Sequence, residues 1–400
     1  MDLLSMSKLE LLERCESLNI INYKSKNKKQ LLELIISKMP IVKPVPFQQE
    51  QQEQQEQQEQ QEQQEQQEQQ EQPVSSLNVI DLFCGCGGMS KGLTDAGLNI
   101  IAGIDVWDKA VVSYNKNFSH HQAYCEDLTQ LSPEKFEELY NKDNKTVDVL
   151  VGGPPCQSFS IAGRRDKDDP RNTLFMEYVK YLDYFRPKAF IMENVIGLLS
   201  KKTASSENTS GEKVIDIIME LLNREYNCII TKLYASDFEV PQNRRRVIII
   251  GIRKDLGIFP KEPEPVIKSV EDRIPVRTVL LRKEDVDAKY YLSEKALAGI
   301  ENKRAVSKAK GFGFGAQMLD VDKPSYTIPA RYWKDGYDAL VKYNDKEIRR
   351  LTILELKRIQ SFPDNYIIEG SNKDVIIQIG NAVACKLAYH LGNYLVNTLR

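Results

Sequence analysis

Histidine is almost missing from this chain: its 400 residues hold only His120, His121 and His390, none in a segment that reads as catalytic. That scarcity removes the usual cysteine-hydrolase chemistry, in which a neighbouring imidazole takes the thiol proton. Paired cysteine spacing is missing too. Cys84 and Cys86 are close, but Cys15, Cys125, Cys228 and Cys385 are scattered singly, so a zinc site lacks its further ligands and no metal is expected. Seven cysteines without pairing, and no signal-peptide pattern, predict a reducing intracellular compartment. No apolar run is long enough to span a bilayer, so no membrane partner is expected.

What is present is a thiol in an informative place. Val147-Asp148-Val149-Leu150-Val151 reads as a buried strand and runs into Gly152-Gly153-Pro154-Pro155-Cys156-Gln157-Ser158. Two glycines permit a tight turn and two prolines stiffen the loop beyond it. Cys156 is thereby delivered at a strand's C-terminal end, the edge where open α/β sheets bind ligands. A cysteine that only fills a core needs none of this. As a nucleophile without a histidine, it must attack a carbon that other residues activate.

Other strand ends carry polar groups in the same way. Val79-Ile80-Asp81-Leu82-Phe83 leads into Cys84-Gly85-Cys86-Gly87-Gly88 and then an amphipathic helix from about Met89. Such a turn lets a ligand approach the backbone closely, and alone it would serve nicotinamide, flavin or nucleotide sites equally. A second strand ends at Asp105, whose carboxylate suits ribose hydroxyls, and Asp127-Leu128 follows a third short segment. Phe190-Ile191-Met192 delivers Glu193, and Gln242-Asn243-Arg244-Arg245-Arg246 precedes a further apolar strand.

Pro154-Pro155-Cys156-Gln157, the Asp-x-Phe-x-Gly-x-Gly-Gly turn, Glu193-Asn194-Val195 and Gln242-x-Arg244-x-Arg246 together resemble the cytosine-C5 DNA methyltransferases. Arg350-Leu351-Thr352 with Glu355, Arg358, Gln360, Phe362 and Pro363, and then Gln378-Ile379-Gly380-Asn381-Ala382-Val383, continue the blocks in family order across roughly residues 78–399. The resemblance implies an α/β, Rossmann-like S-adenosylmethionine-dependent methyltransferase fold with a mostly parallel sheet and a smaller irregular target-recognition domain. It implies that Phe83, Gly85, Gly87, Gly88, Asp105, Asp127, Leu128 and Asn381 hold S-adenosylmethionine. Phe83 would border the adenine, the glycines the methionine part, Asp105 the ribose and Asp127 the adenine amino group. It further implies that Cys156 attacks C6 of a flipped cytosine and that Glu193 hydrogen-bonds N3 and the amino group. Arg244 would reach the carbonyl oxygen, with Arg246 serving structure or phosphates. Gln157, Ser158 and Arg164 belong to a polar segment, with Gly163 as hinge, that would close over double-stranded DNA.

The implied reaction is methyl transfer from S-adenosylmethionine to C5 of a cytosine swung out of the duplex. An RNA cytosine-5 methyltransferase is the alternative, and the Cys-Phe-Thr tripeptide of such enzymes is absent from the recognition region. A DNA-binding module with weak activity would lack Cys156, Glu193 or the arginine. A nicotinamide enzyme would leave Pro155-Cys156 and Glu193 without purpose. The enzyme is expected to act as a monomer in a cytoplasm or nucleus with access to DNA, either alone or beside a restriction endonuclease that cuts the same site.

The chain divides by composition. Residues 1–40 hold two short apolar-periodic segments with Lys24, Lys26, Lys28 and Lys29 between them, and resemble a helix-turn-helix SAP-type module. Residues 41–76 form a linker dominated by eight Gln-Gln-Glu repeats, expected to be disordered for want of apolar surface. Discounting those glutamates leaves the remainder basic, at about +6, which suits a polyanionic partner. Residues 77–252 read as the catalytic and cofactor domain, 253–349 as the target-recognition region, and 350–400 as a part that completes the catalytic domain. In the recognition region, residues 303–337 hold seven basic residues against three acidic ones, with Tyr326, Tyr332, Trp333 and Tyr337 interleaved. Arg331 and Trp333 are the expected DNA contacts there.

Overall fold

The computed structural model describes residues 6–38, 77–155, 173–202, 213–309, 316–334 and 336–400, in two compact units. The linker 41–76 and the segment from Cys156 to Arg164 therefore lie outside the described residues.

The first unit is a helical hairpin, α1 (Lys8–Ser17) and α2 (Lys28–Lys38). Ser7 starts α1 through a capping box with Glu10, which satisfies two amides the helix cannot. Leu11, Cys15, Ile20, Tyr23, Leu31 and Ile35 bury together and close the hairpin. Lys24, Lys28 and Lys29 stay exposed, and α2 has no acid in its first turn.

In the second unit, short apolar runs rich in branched residues give central strands buried on both faces, alternating with helices that cover them. The elements are β1 (Asn78–Leu82), α3 (Gly88–Asp95), β2 (Asn99–Asp105), α4 (Asp108–Asn115), β3 (Gln122–Cys125), α5 (Pro133–Tyr140), β4 (Val149–Gly152), α6 (Thr173–Phe185), β5 (Ala189–Val195), α7 (Val214–Leu222), β6 (Tyr226–Tyr234) and β7 (Arg245–Arg253). They form one sheet in the order β3-β2-β1-β4-β5-β7-β6, parallel from β1 to β5. β7 slots between β5 and β6 and runs antiparallel to both. Strand order reverses between β1 and β4, which opens a crevice beyond their C-terminal ends. Those two ends carry the glycine turn and the Gly153-Pro154-Pro155 loop.

One face of the sheet buries Phe136, Tyr178, Tyr181, Ile215 and Ile218. The other buries Met89 and Leu93 of α3 against Leu387, Leu391 and Leu395 of the last helix. A Cβ on Gly92 would lie 2.2 Å from the carbonyl oxygen of Cys385, so the two helices can touch only at a glycine.

The chain continues through α8 (Glu294–Ala309), a hairpin of β8 (Leu340–Lys342) and β9 (Ile348–Arg350), α9 (Ile353–Ile359), α10 (Asn372–Asn381) and α11 (Cys385–Leu399). The core of the smaller part extends across the 349/350 division. Val276, Leu319, Ile328 and Tyr332 share one core with Leu356, Ile359, Val375 and Ile379, so α9 and α10 belong to the smaller part and α11 to the sheet. Arg349 and Glu355 straddle that boundary in a fully buried two-pronged pair at 2.8 and 2.9 Å. Glu355 also accepts from the backbone amides of Leu281 and Thr352, so both of its oxygens are satisfied in the core.

Candidate active site

The parallel register aligns the C-terminal ends of β1, β2, β3, β4 and β5 along one edge. At β1, Phe83 takes φ 60° and Gly85 and Gly87 also take positive φ, which turns the chain sharply into α3. Asp105 organises this turn: one carboxylate oxygen accepts from the Gly85 amide at 2.8 Å and the other from the Trp107 amide at 2.8 Å. Burial holds its pKa above the ordinary range, with those amides opposing the shift.

The three glycines divide by role. A Cβ on Gly85 would meet nothing within 4 Å, so its surroundings are open to a ligand. A Cβ on Gly87 would sit 2.7 Å from the Tyr366 hydroxyl, and one on Gly88 2.3 Å from the Val383 carbonyl. Gly87 and Gly88 have no room for a side chain because other protein segments press on them. The Leu128 side chain is buried in the core. Asp127 is exposed and spends one oxygen on Thr129. Asn381 is exposed at the end of α10. Val106, 69% exposed directly after Asp105, was missed by the sequence reading. Its signal was an apolar residue between a strand-end acid and a helix start.

On the other side of the crevice, Glu193 lies near the end of the buried run of β5, which closes with Asn194. A Cβ on Gly153 would lie 3.3 Å from Glu193 Oε2, so the loop leaving β4 passes directly over this carboxylate. Asn194 Nδ2 donates to the Pro154 carbonyl at 2.9 Å and fixes the loop one residue further on. Asn194 was not singled out from sequence. Cys156, Gln157, Ser158 and Arg164 come after this anchored start.

Of the two motif arginines, Arg246 is the one placed beside Glu193. Arg246 Nε lies 2.6 Å from Glu193 Oε1, both side chains about one-tenth exposed. The N–H does not point along that line, so neither atom spends a hydrogen bond on the other. Arg244 is buried away from this position. Its guanidinium donates to the carbonyls of Ile328 (3.3 Å), Gly380 (2.9 Å) and Ala382 (3.0 Å), clasping the peptide on both sides of Asn381. Burial pulls its pKa down to about 9, with Arg246 adding to the shift, so it stays charged at neutral pH. Gln242 beside it bonds Gln360 Oε1 (2.5 Å) and accepts from the Ile328 amide (2.9 Å), while Gln360 donates to the Ala382 carbonyl. The segment holding Gln242 and Arg244 thus joins the sheet to the smaller part.

Arg331 and Trp333 share a short helical turn. Arg331 pairs with Asp338 at 2.6 Å on the surface, and Lys373 Nζ sits 4.5 Å from the Trp333 ring centre. Such an exposed pair is worth about 0–1 kcal/mol, so Arg331 can exchange partners at little cost. A crevice of about 600 Å³ bordered by Glu239, Arg358, Lys386 and Tyr389 contains none of the expected site residues. Among the described residues no three metal-ligating side chains gather, and no helix is long and apolar enough to cross a membrane.

The sequence profile of the family described as C-5 cytosine-specific DNA methylase matches residues 77–397. The type II methyltransferase M.DdeI of Desulfomicrobium norvegicum is 32% identical over 379 residues, covering 79% of this chain and 87% of the relative. The type II methyltransferase M1.HphI of Haemophilus parahaemolyticus is 33% identical over 332 residues, covering 78% and 85%. A DNA modification methyltransferase encoded within an E. coli prophage superposes with a TM-score of 0.62 at 25% identity, over 81% of this chain and 99% of that one. Dnmt2 of S. pombe shares the fold, with a TM-score of 0.63 at 21% identity. The chain belongs to the C-5 cytosine-specific DNA methylase family. It is a DNA cytosine-5 methyltransferase built on a mostly parallel α/β sheet.

Proposed function

We propose that the chain transfers methyl from S-adenosylmethionine to C5 of a cytosine swung out of double-stranded DNA, with Cys156 as nucleophile and Glu193 and Arg246 gripping the base. The observation that carries this reading is the nearly buried Glu193–Arg246 pair, with Glu193 Oε1 and Arg246 Nε spent on no hydrogen bond, directly under the start of the Cys156 loop. A pyrimidine's N3, amino and carbonyl groups form the kind of polar edge such a pair would complete.

The open space at Gly85, the Asp105 carboxylate and the exposed Val106 fit a nucleoside-bearing cofactor. Phe83 and Asp127 extend that surface, and Asn381, held in place by Arg244, would close it. Bound there, S-adenosylmethionine supplies a methyl group on a positively charged sulfur. The chain's own residues do the rest. Cys156 thiolate adds to C6, which turns C5 into a carbon nucleophile. Glu193 and Arg246 stabilise the electron density pushed into the ring, an interaction strongest in the transition state. Loss of the C5 proton then restores the double bond and expels the thiolate. Asn194, through Pro154, holds the loop that places the sulfur.

The exposed lysines of the N-terminal hairpin support a second, sequence-independent DNA contact. The type II naming of the relatives supports a place beside a restriction endonuclease. Transfer of labelled methyl from S-adenosylmethionine to duplex DNA or to RNA tests the reading. Label in DNA that vanishes with Cys156→Ala is expected, and label confined to RNA would contradict it.

A further inference from the structure

The middle arginine of the triplet has no place in the methyl-transfer chemistry. Arg245 opens β7 and pairs in register with Tyr234, the last residue of β6. Successive strand residues face opposite sides, so while Arg246 turns to Glu193, Arg245 projects from the other face of the same strand end. That end is the catalytic edge, because Arg246 also pairs in register with Val195, two residues beyond Glu193.

The side chain of Arg245 is exposed but held. Nη1 donates to the Tyr234 hydroxyl at 3.3 Å, and the guanidinium carbon lies 5.8 Å from the ring centre. On the same ring, the Arg273 guanidinium carbon lies 5.6 Å from the centre, and that charge is cancelled by Asp237 at 2.7 Å. Arg245 has no such partner: among the described residues no carboxylate lies within ion-pair distance of it. A solvated arginine needs no aromatic shelf. With Arg273 neutralised by Asp237, the ordered Arg245 guanidinium on the same ring is left as the uncompensated charge, which an anion would complete. The Tyr234 hydroxyl accepts from Arg245 and keeps its own proton to donate, so the two groups offer converging donors to one tetrahedral anion.

We propose that Arg245 and Tyr234 form a backbone-phosphate station for double-stranded DNA at the catalytic edge, clamping the duplex near the nucleotide delivered to Glu193. The proposal rests on the DNA-methylating reading and adds a contact to it. The station reads charge and not sequence, so it should act on all duplexes alike.

The test is the salt dependence of binding. A fluorescein-labelled duplex is titrated with the full chain at a series of KCl concentrations, for the wild type, Arg245→Gln, Arg245→Lys and Tyr234→Phe. Each phosphate contact contributes about one to the slope of log K against log salt. Arg245→Gln should shrink that slope by about one on specific and nonspecific duplexes, and Arg245→Lys should keep it. Tyr234→Phe should weaken binding several-fold with the slope intact. S-adenosylmethionine affinity, read by calorimetry, should match the wild type in all three and so report an intact fold. An unchanged slope in Arg245→Gln overturns the station, as does an altered methylation site in bisulfite sequencing, which would mean base contact. A wild type that methylates no DNA would instead sink the underlying function, so the two failures are distinct.

Discussion

Arg246 Nε lies 2.6 Å from Glu193 Oε1 across the antiparallel pair of β5 and β7, while Arg244, two residues earlier, is turned into the joint between the sheet and the smaller part. The two arginines should therefore fail differently. Arg246→Ala should fold normally and lose about 10²–10³-fold in turnover, the scale of removing one donor from a developing negative charge. Arg244→Ala should lose at least about 2 kcal/mol of stability, because it strands the buried carbonyls of Ile328 and Gly380. Thermal melts and single-turnover rates of both variants check this. A normally stable, inactive Arg244→Ala would restore the opposite assignment.

Asn194 is expected to act through Pro154 and not on the base. Asn194→Ala should lower the rate of methyl transfer while leaving cofactor affinity near normal. Asn194→Asp, which offers the Pro154 carbonyl no donor when ionised, should behave like the alanine variant. Single-turnover kinetics beside calorimetry of S-adenosylmethionine separate the two effects.

The glycine turn makes a graded prediction. Gly88→Ala and Gly87→Ala should destabilise the fold, since their Cβ atoms would meet Val383 O at 2.3 Å and Tyr366 Oη at 2.7 Å. Gly85→Ala adds only the strain of positive φ, about 1 kcal/mol. Its main effect should be weaker cofactor binding. Melting temperatures and calorimetric Kd values for the three variants test the ordering.

A pH effect arises from Asp81, wholly buried on β1 and accepting from Ser90 Oγ at 2.6 Å. Burial raises its pKa to about 7. An acid whose folded-state pKa is raised stabilises the fold fully below its unfolded value, near 4, and loses that contribution as pH rises toward 7. The wild type should therefore lose stability on the order of a few kcal/mol, relative to Asp81→Asn, between about pH 4 and pH 7. Denaturant melts of both proteins across that window give the difference directly.

Much of the site was legible because its strands are short apolar runs ending in polar residues. Val149-Leu150-Val151 and Phe190-Ile191-Met192 have no other use, and the groups at their ends had to share an edge. The arginines could not be told apart in this way. Residues 244 and 246 are two apart and project to the same side of an extended chain, and only tertiary packing shows that Ile328, Gly380 and Ala382 close over the first. Packing across the 349/350 boundary is hidden for a related reason. Irregular composition marked residues 253–349 as separate, yet Arg349 and Ile328 complete a core with Glu355 and Ile379 that no local pattern announces. Nor can sequence show that Tyr366 and Val383 return to the turn at Gly87 and Gly88.

The covalent step is the centre of the mechanism, and trapping it is the most direct test. Full-length protein is incubated with S-adenosylmethionine and a duplex bearing 5-fluorocytosine at its methylation site, found beforehand by bisulfite sequencing. Fluorine at C5 leaves no proton to lose, so the Cys156 sulfur should remain bonded to C6. A denaturation-resistant protein–DNA adduct is expected from the wild type, with the DNA-bearing peptide containing Cys156, and none from Cys156→Ala. An adduct at another residue, or ordinary methylation by the Cys156→Ala variant, would contradict the mechanism.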